Sequence, residues 1–265
     1  PHVGQLCAAP ALARFPRWHR TRWSISGSCA SFSSRPAFRV AGTKNCEPQR
    51  ETLLSTSKDP LDAHGWSLHG AVFPFAYTSG ASLLFRDGEA GPHLAFVCNS
   101  NTAAQLLLAE SDDGVTWRDA HRIFMQGRPG CWDEKGVAAG PQPERLSNGD
   151  YLYVYNIDTG FPYHPNPLGR CAIGWTILDG ADPTQIVARS DGPLMVAMLP
   201  WETCPEGKGW DCQEPMVVFS TGLKPLGNDE FMLVYGAART RTWASRGSKS
   251  PSVQGRTRKH DSSRT

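Results

Sequence analysis

The sequence predicts an all-β protein, and three observations predict it. Short apolar runs recur with turn residues between them: "ASLLF" (81–85), "HLAFVCN" (93–99), "AQLLLAES" (104–111), "GDYLYVYN" (149–156), "RCAIGWTILDG" (170–180), "QIVARSDGPL" (185–194), "EPMVVFSTGL" (214–223) and "NDEFMLVYGAA" (228–238). Aromatic residues make up 10% of the chain, beside 26 Gly and 21 Pro, a mixture suited to many short strands and tight turns. Between residues 66 and 238 no stretch sustains the 3.6-residue apolar period of an amphipathic helix. Three of the runs, "HLAFVCN", "YLYVYN" and "FMLVYGA", share one pattern, a β run ending in a small or amide residue after a polar turn. They begin at residues 93, 151 and 231, which fits repeated four-stranded sheets of roughly 40–60 residues each. The pattern predicts β-propeller blades, about three of them between residues 65 and 238.

The stretch "AESDDGVTWRD" (109–119) raises a choice between chemistry and architecture. Asp112 and Asp113 could be a catalytic acidic pair. An Asp before Gly also bonds backbone N–H groups two residues on and so fixes a hairpin corner, with Trp117 packing beneath. The structural reading is preferred, since Ser111-x-Asp113-Gly114-x-x-Trp117 spaces a turn and a buried indole.

Charge is segregated along the chain. Residues 51–238 hold 11 Lys+Arg against 23 Asp+Glu, whereas residues 1–50 and 239–265 each hold 8 against 1. An acidic middle between basic ends is not the pattern of a nucleic-acid-binding face, which gathers its cations on folded structure. The flank 1–64 is expected to be poorly ordered or a targeting-like segment, and 239–265 a disordered basic tail. No run is long and apolar enough to predict a membrane span. A soluble protein, organelle-targeted or secreted, is expected. The eight cysteines (7, 29, 46, 98, 131, 171, 204 and 212) lack metal-ligand spacing, so no metal or other cofactor is expected. Cys204 and Cys212 are spaced for a disulfide in an oxidising compartment, with scattered buried thiols as the alternative.

Several ordered blocks resemble glycoside hydrolase family 130. "WRDAHRIFMQGRPGCWDEKGVAAGPQPERLSNGDYLYVYN" (117–156) is similar to that family's Trp turn, its Trp-Asp…Gly-x-Gly-x-Pro-Pro segment and its Gly-Trp-Leu-x-x-Tyr-His-Gly strand. "GRCAIGWTILDGADPTQIVARSDGPL" (169–194) resembles its Asp-Pro…Arg-Ser-x-x-Pro block, and "PWE" (200–202) with "VVFSTGL…FMLVYGAA" (217–238) its closing blade. The resemblance covers roughly residues 66–238. It implies the C-terminal blades of a five-bladed β-propeller, a substrate among β-mannoside oligosaccharides, and phosphorylase or hydrolase chemistry.

Cleavage of a glycosidic bond needs an acid for the leaving oxygen and a nucleophile on the opposite face of the sugar. The family's acid lies in a Glu-Asp-Pro-Arg motif that this sequence lacks, leaving Asp133, Glu202 and Glu214 as the candidate catalytic carboxylates. Asp133, Lys135, Asn156, Asp158, Tyr163, His164 and Arg170 are the candidate sugar or phosphate contacts. Asn156 stands where the family strand carries His, and Arg239 where it continues with Asp. Loss of a cationic phosphate contact favours hydrolysis over phosphorolysis, with inorganic phosphate a disfavoured partner. A truncated chain of weak or no activity is expected; the alternative is a non-catalytic carbohydrate-binding or protein-interaction propeller.

Overall fold

The computed structural model describes residues 19–21, 38–46, 49–59, 61–62, 64–75, 78–99, 105–158, 171–204, 215–238 and 241–247, with backbone only up to 51 and at 79, 158 and 241–247. The fold is nearly all strand. β1 (His19–Thr21), β2 (Phe38–Cys46), β3 (Gln49–Ser57) and β4 (Trp66–Ala71) precede β5 (Thr78–Leu84), β6 (His93–Asn99), β7 (Gln105–Ser111) and β8 (Arg118–Met125). Next come β9 (Glu144–Arg145), β10 (Tyr151–Asp158), β11 (Cys171–Leu178) and β12 (Ile186–Arg189). A one-turn helix, α1 (Pro200–Thr203), leads to β13 (Val218–Gly227), β14 (Glu230–Ala237) and β15 (Arg241–Gly247). Among the described residues no helix is long and apolar enough to cross a membrane.

All pairing is antiparallel, and the strands form four sheets, the blades of an incomplete propeller. Blade I is β2-β3-β4, blade II β5-β6-β7-β8, blade III β9-β10-β11-β12, and blade IV β13-β14-β15 with β1 added outside β15. The aromatic runs had marked three blades. Blade I escapes that pattern because its strands "FRVAGTKNC" and "QRETLLSTS" are mostly polar. Strand pairing also reaches outside residues 65–238. β2 and β3 lie in the basic N-terminal flank, and β15 lies in the stretch read as a disordered tail. Ladder hydrogen bonds come from the backbone, so such strands do not need an apolar sequence.

Blade III sits between two cores, and its central strand shows why "YLYVYNI" reads as it does. Tyr151, Tyr153, Tyr155 and Ile157 face one side and join Leu84, Leu94, Phe96, Leu106 and Leu108 of blade II. Leu152 and Val154 face the other side with Phe231, Leu233 and Tyr235 of blade IV. Successive strand residues point to opposite faces, and here both faces are covered. Phe96 stacks on Phe124 with centroids 4.1 Å apart, and the Tyr153 hydroxyl bonds Ser82 (2.8 Å) and the Gly140 N–H (3.4 Å). Burying a large side chain in this way contributes about 1.5–3 kcal/mol each.

The strand directions give the blades two unlike ends. One carries tight turns, at 85–92, 112–117, 146–150, 179–185 and 228–229, and these meet across blades: Arg86 donates to Ala181 O, Tyr151 bonds Glu89, and Ser147 bonds Asp229. The other end carries the long connections 126–143 and 190–217 between blades. The Asp112-Asp113-Gly114 corner lies at the turn end, far along the strands from those loops. Asp113 Oδ1 accepts the N–H of Val115 (2.8 Å) and Thr116 (2.7 Å), and Oδ2 accepts the Thr116 hydroxyl. These bonds, Thr116 N–H foremost, hold its carboxyl well below the usual carboxylate range. Trp117 is buried against Phe73, centroids 5.4 Å apart. The acidic pair is therefore a corner brace. Asp113→Ala is expected to cost about 1 kcal/mol at neutral pH, comparable to loss of a helix cap, read as a lower denaturation midpoint.

Candidate functional site

The long loops at one end of blade III gather the charged side chains on which any chemistry would draw. The first loop, 126–143, doubles back tightly at Gly127, where a Cβ would stand 2.3 Å from the Glu134 carbonyl oxygen. That return delivers Asp133, fully buried, into a ring of donors. Arg128 Nε lies 3.1 Å from both its carboxylate oxygens, and Arg128 Nη2 lies 3.0 Å from Oδ2. Arg189, at the end of β12, brings Nη2 to 2.6 Å from Oδ2, off the line of its N–H bonds. The Tyr155 hydroxyl donates to Oδ2 at 3.1 Å and accepts from Arg189 Nε at 3.1 Å.

The rest of this knot ties loop to blade. Arg189 lies over the Tyr155 ring at 5.1 Å and donates to Gln126 O; Arg128 and the Trp132 indole both donate to Ser190 O. Burial holds the Tyr155 phenol above its ordinary range. One carboxylate faces two guanidiniums and a phenol, with most of these contacts at Oδ2. Through these contacts Asp133 ties the loop to blade III.

The second loop, 190–217, is held by another buried carboxylate. Glu202 Oε2 accepts the N–H groups of Met198 and Leu199, both at 2.8 Å, and Oε1 accepts the Tyr235 hydroxyl at 2.7 Å. The first two bonds satisfy amides at the start of α1, and the third fastens the loop to β14. Glu202, like Asp133, is committed to the fold.

Asn156 is fully buried and lies on the same face of β10 as Val154, toward blade IV. Its amide donates to Ala139 O (2.9 Å) and Ser220 O (3.2 Å), and its oxygen accepts from Ser220 N–H (2.6 Å) and hydroxyl (2.8 Å). The backbone of Ala138 pairs with Asn156 as well. Beside this bridge runs Gly140, where a Cβ would meet the Val154 carbonyl oxygen at 2.0 Å. Asn156 is thus an inter-blade tie.

Lys135 is half exposed on the first loop and pairs with Glu134 at 3.6 Å, apart from the Asp133 knot. Asp158 ends β10, its backbone paired with Cys171; its side chain lies outside the described residues, as do Tyr163, His164, Arg170 and Glu214. Cys131 and Cys204 are each disulfide-bonded, while Cys98 and Cys171 are buried in the strands. Cys212 lies outside the described residues.

The sequence did not single out Arg128, Arg189, Tyr155 or Ser220, which complete these two arrangements. Their partners are 5 to 64 residues away along the chain. Nor did it single out Glu144, the cross-strand partner of Leu152 beside the core between blades III and IV. Burial pushes the Glu144 carboxyl up to about 7. A folded-state value above the unfolded one favours folding at low pH, and that advantage is lost as pH rises through about 7. Glu144→Gln is therefore expected to match the native chain below the unfolded value of 4.5, at about pH 3.5, and to be more stable at pH 8, by about 1–2 kcal/mol after allowing for partial solvent contact. Parallel melts at the two pH values check this; an equal shift at both would assign the effect to packing.

Known proteins can now be set beside this geometry. No protein-family model matches the chain. It is 28% identical over 187 residues to a 1,2-β-oligomannan phosphorylase of Thermoanaerobacter sp. (strain X514), a match covering 71% of this chain and 55% of that protein. A β-1,2-mannobiose phosphorylase of the same organism is 30% identical over 116 residues, covering 44% and 33%. The chain thus spans about half or less of the length of these curated relatives.

Among solved structures, the β-1,2-mannobiose phosphorylase from Listeria innocua in complex with β-1,2-mannobiose superposes with a TM-score of 0.66 at 22% identity, over 82% of this chain and 56% of that one. A structure described under the GH130 family of mannoside phosphorylases, with glycoside hydrolases that target β-1,2 mannosidic linkages, superposes with a TM-score of 0.65 at 19% identity, over 82% and 63%. These structural likenesses show the fold. In sequence the chain is similar to mannoside phosphorylases, and its ordered motifs from Trp117 to Ala238 resemble those of glycoside hydrolase family 130.

Proposed function

We propose that the protein carrying this chain cleaves β-linked mannosides and that phosphate is the acceptor. The observation that carries the proposal is the sequence match over 187 residues to a 1,2-β-oligomannan phosphorylase. Phosphorolysis would break the bond between the anomeric carbon and the bridging oxygen. A carboxylic acid protonates that oxygen while phosphate forms the new bond to the anomeric carbon from the opposite face.

The sequence alone favoured hydrolysis, because Asn156 replaces a histidine of the related strand. Asn156 is buried and bonded to Ala139 and Ser220, which supports reading it as a structural tie rather than a lost phosphate contact. Lys135, half exposed on the 126–143 loop, is a candidate phosphate contact on this reading. Asp158, Tyr163, His164 and Arg170 remain candidate sugar contacts, and Glu214 a candidate carboxylate.

A second reading is sugar binding without cleavage. It is favoured by the commitment of Asp133 and Glu202, two of the three candidate carboxylates, to structural bonds. One experiment separates the two. The protein is incubated with β-1,2-mannobiose with and without inorganic phosphate, and products are resolved beside a calorimetric binding titration. Mannose 1-phosphate formed only with phosphate supports the proposal, and free mannose formed without phosphate supports hydrolysis. Heat of binding with no product supports the second reading, and neither heat nor product overturns both.

A further inference from the structure

Charge is divided unevenly over the turn end of the blades. The turns of blades II and III, 85–92, 112–117, 146–150 and 179–185, hold seven Asp+Glu against one Arg. Counting Arg118, Arg122 and Arg145 just outside them still leaves the acids in excess. Two of these carboxylates stand well into solvent, Asp87 at 52% and Asp112 at 81% side-chain exposure. Their partners, His93 and Arg118, lie to one side and leave the outer face of each carboxylate open to water. Ile186 and Val187, which follow the last of the turns, are exposed apolar residues.

Blade IV is basic at the same end. Phe231, beside the 228–229 turn, stands opposite Gly247, so β15 finishes at the turn end; His19 stands opposite Arg246, so β1 starts there. These two edge strands come from the two basic flanks of the chain, 1–50 and 239–265, each with 8 Lys+Arg against 1 Asp+Glu. One cross-strand row of the sheet reads Lys224, Met232, Arg246 and His19, with no acid in it. Lys224 is exposed, and so are Pro225 and Leu226 after it. Of the acids at this corner, Asp229 is held by Ser147 of blade III and Glu230 is half-buried.

We propose that two copies of this chain pair through their turn ends about a two-fold axis. The basic corner of blade IV in each copy lies on the acidic turns of blades II and III in the other. A two-fold contact is self-complementary, so both attractions are made at once and the assembly closes as a dimer. Both halves of the charge pattern lie on one surface of one chain, which singles out a second copy as the occupant. Leu226 on one half, and Ile186 and Val187 on the other, supply the apolar contacts that such an interface buries at its centre. The long connections, at the far end of the blades, stay open in both copies.

The test is the mass of the full chain in solution, read by light scattering after gel filtration. Twice the 29.0 kDa of one chain is expected at low ionic strength. The monomer is expected at about 0.5 M NaCl, where exposed charges are screened within roughly 3–8 Å. Lys224→Glu with Arg246→Glu is expected to raise the dissociation constant at least about tenfold at low salt. Asp87→Lys with Asp112→Lys is expected to do the same. Mixing the two doubly reversed proteins is expected to restore a dimer, because each reversed corner then meets a reversed set of turns; a misfolded variant could not restore it. A monomer at low salt would overturn the proposal, and so would a dimer indifferent to salt and to both reversals. Assemblies that keep growing with concentration would replace the two-fold pairing by a head-to-tail contact.

Discussion

Asp133→Asn is expected to remove about 3–5 kcal/mol of folding stability, the largest effect of any single substitution proposed for this protein. The change keeps the shape of the side chain, so no cavity accounts for the loss. It removes the negative charge between Arg128 and Arg189, leaving two guanidiniums in a site where Asp133 itself is fully buried. A domain of ordinary stability has about 5–15 kcal/mol in all, so the variant stands near the edge of folding. Urea denaturation of the full chain is the measurement. Adding Arg189→Met to the variant is expected to recover part of the loss, since the double substitution removes a stranded charge together with its partner. A denaturation midpoint unchanged by Asp133→Asn would show that water screens the cluster.

Asn156→Leu is expected to cost about 3 kcal/mol, from polar groups stranded in a buried seam. Asn156 satisfies Ala139 O, Ser220 O, Ser220 N–H and the Ser220 hydroxyl, and leucine satisfies none of them. The lost bonds join blade III to blade IV and to the segment beside Gly140. The variant should therefore lower cooperativity as well as midpoint, with blade IV separating first. Ser220→Ala, which removes only one of the four groups, is expected to cost about 1 kcal/mol. Equal effects from the two variants would refute a network centred on Asn156. The comparison also bears on function: it asks whether the amide in place of the related family's histidine is a structural tie or a lost ligand.

The strands were legible in the sequence where alternation met burial. In "YLYVYNI" every second residue faces one core and the rest the other, so composition and period report the strand directly. The Asp113 corner was legible because its bonds reach only two or three residues along the chain. Blade I was not, because ladder hydrogen bonds are backbone bonds and leave little trace in strands as polar as "QRETLLSTS". Among the candidate site residues, Asp133 and Glu202 were found as carboxylates in loops near aromatic residues. Their roles depended on Arg128, Arg189, Tyr155 and Tyr235, whose approach is a matter of loop closure and blade packing.

By itself the sequence determined an all-β chain of short strands, the brace at Asp113 and the resemblance to family 130, since each is written in local spacing or in an ordered series of motifs. Only the tertiary structure decided that Asp133, Glu202 and Asn156 are fasteners. A carboxylate or amide is chemically the same group whether it holds a loop or meets a substrate. What separates the two cases is which distant donors reach its oxygens and whether water is excluded, and packing alone sets both.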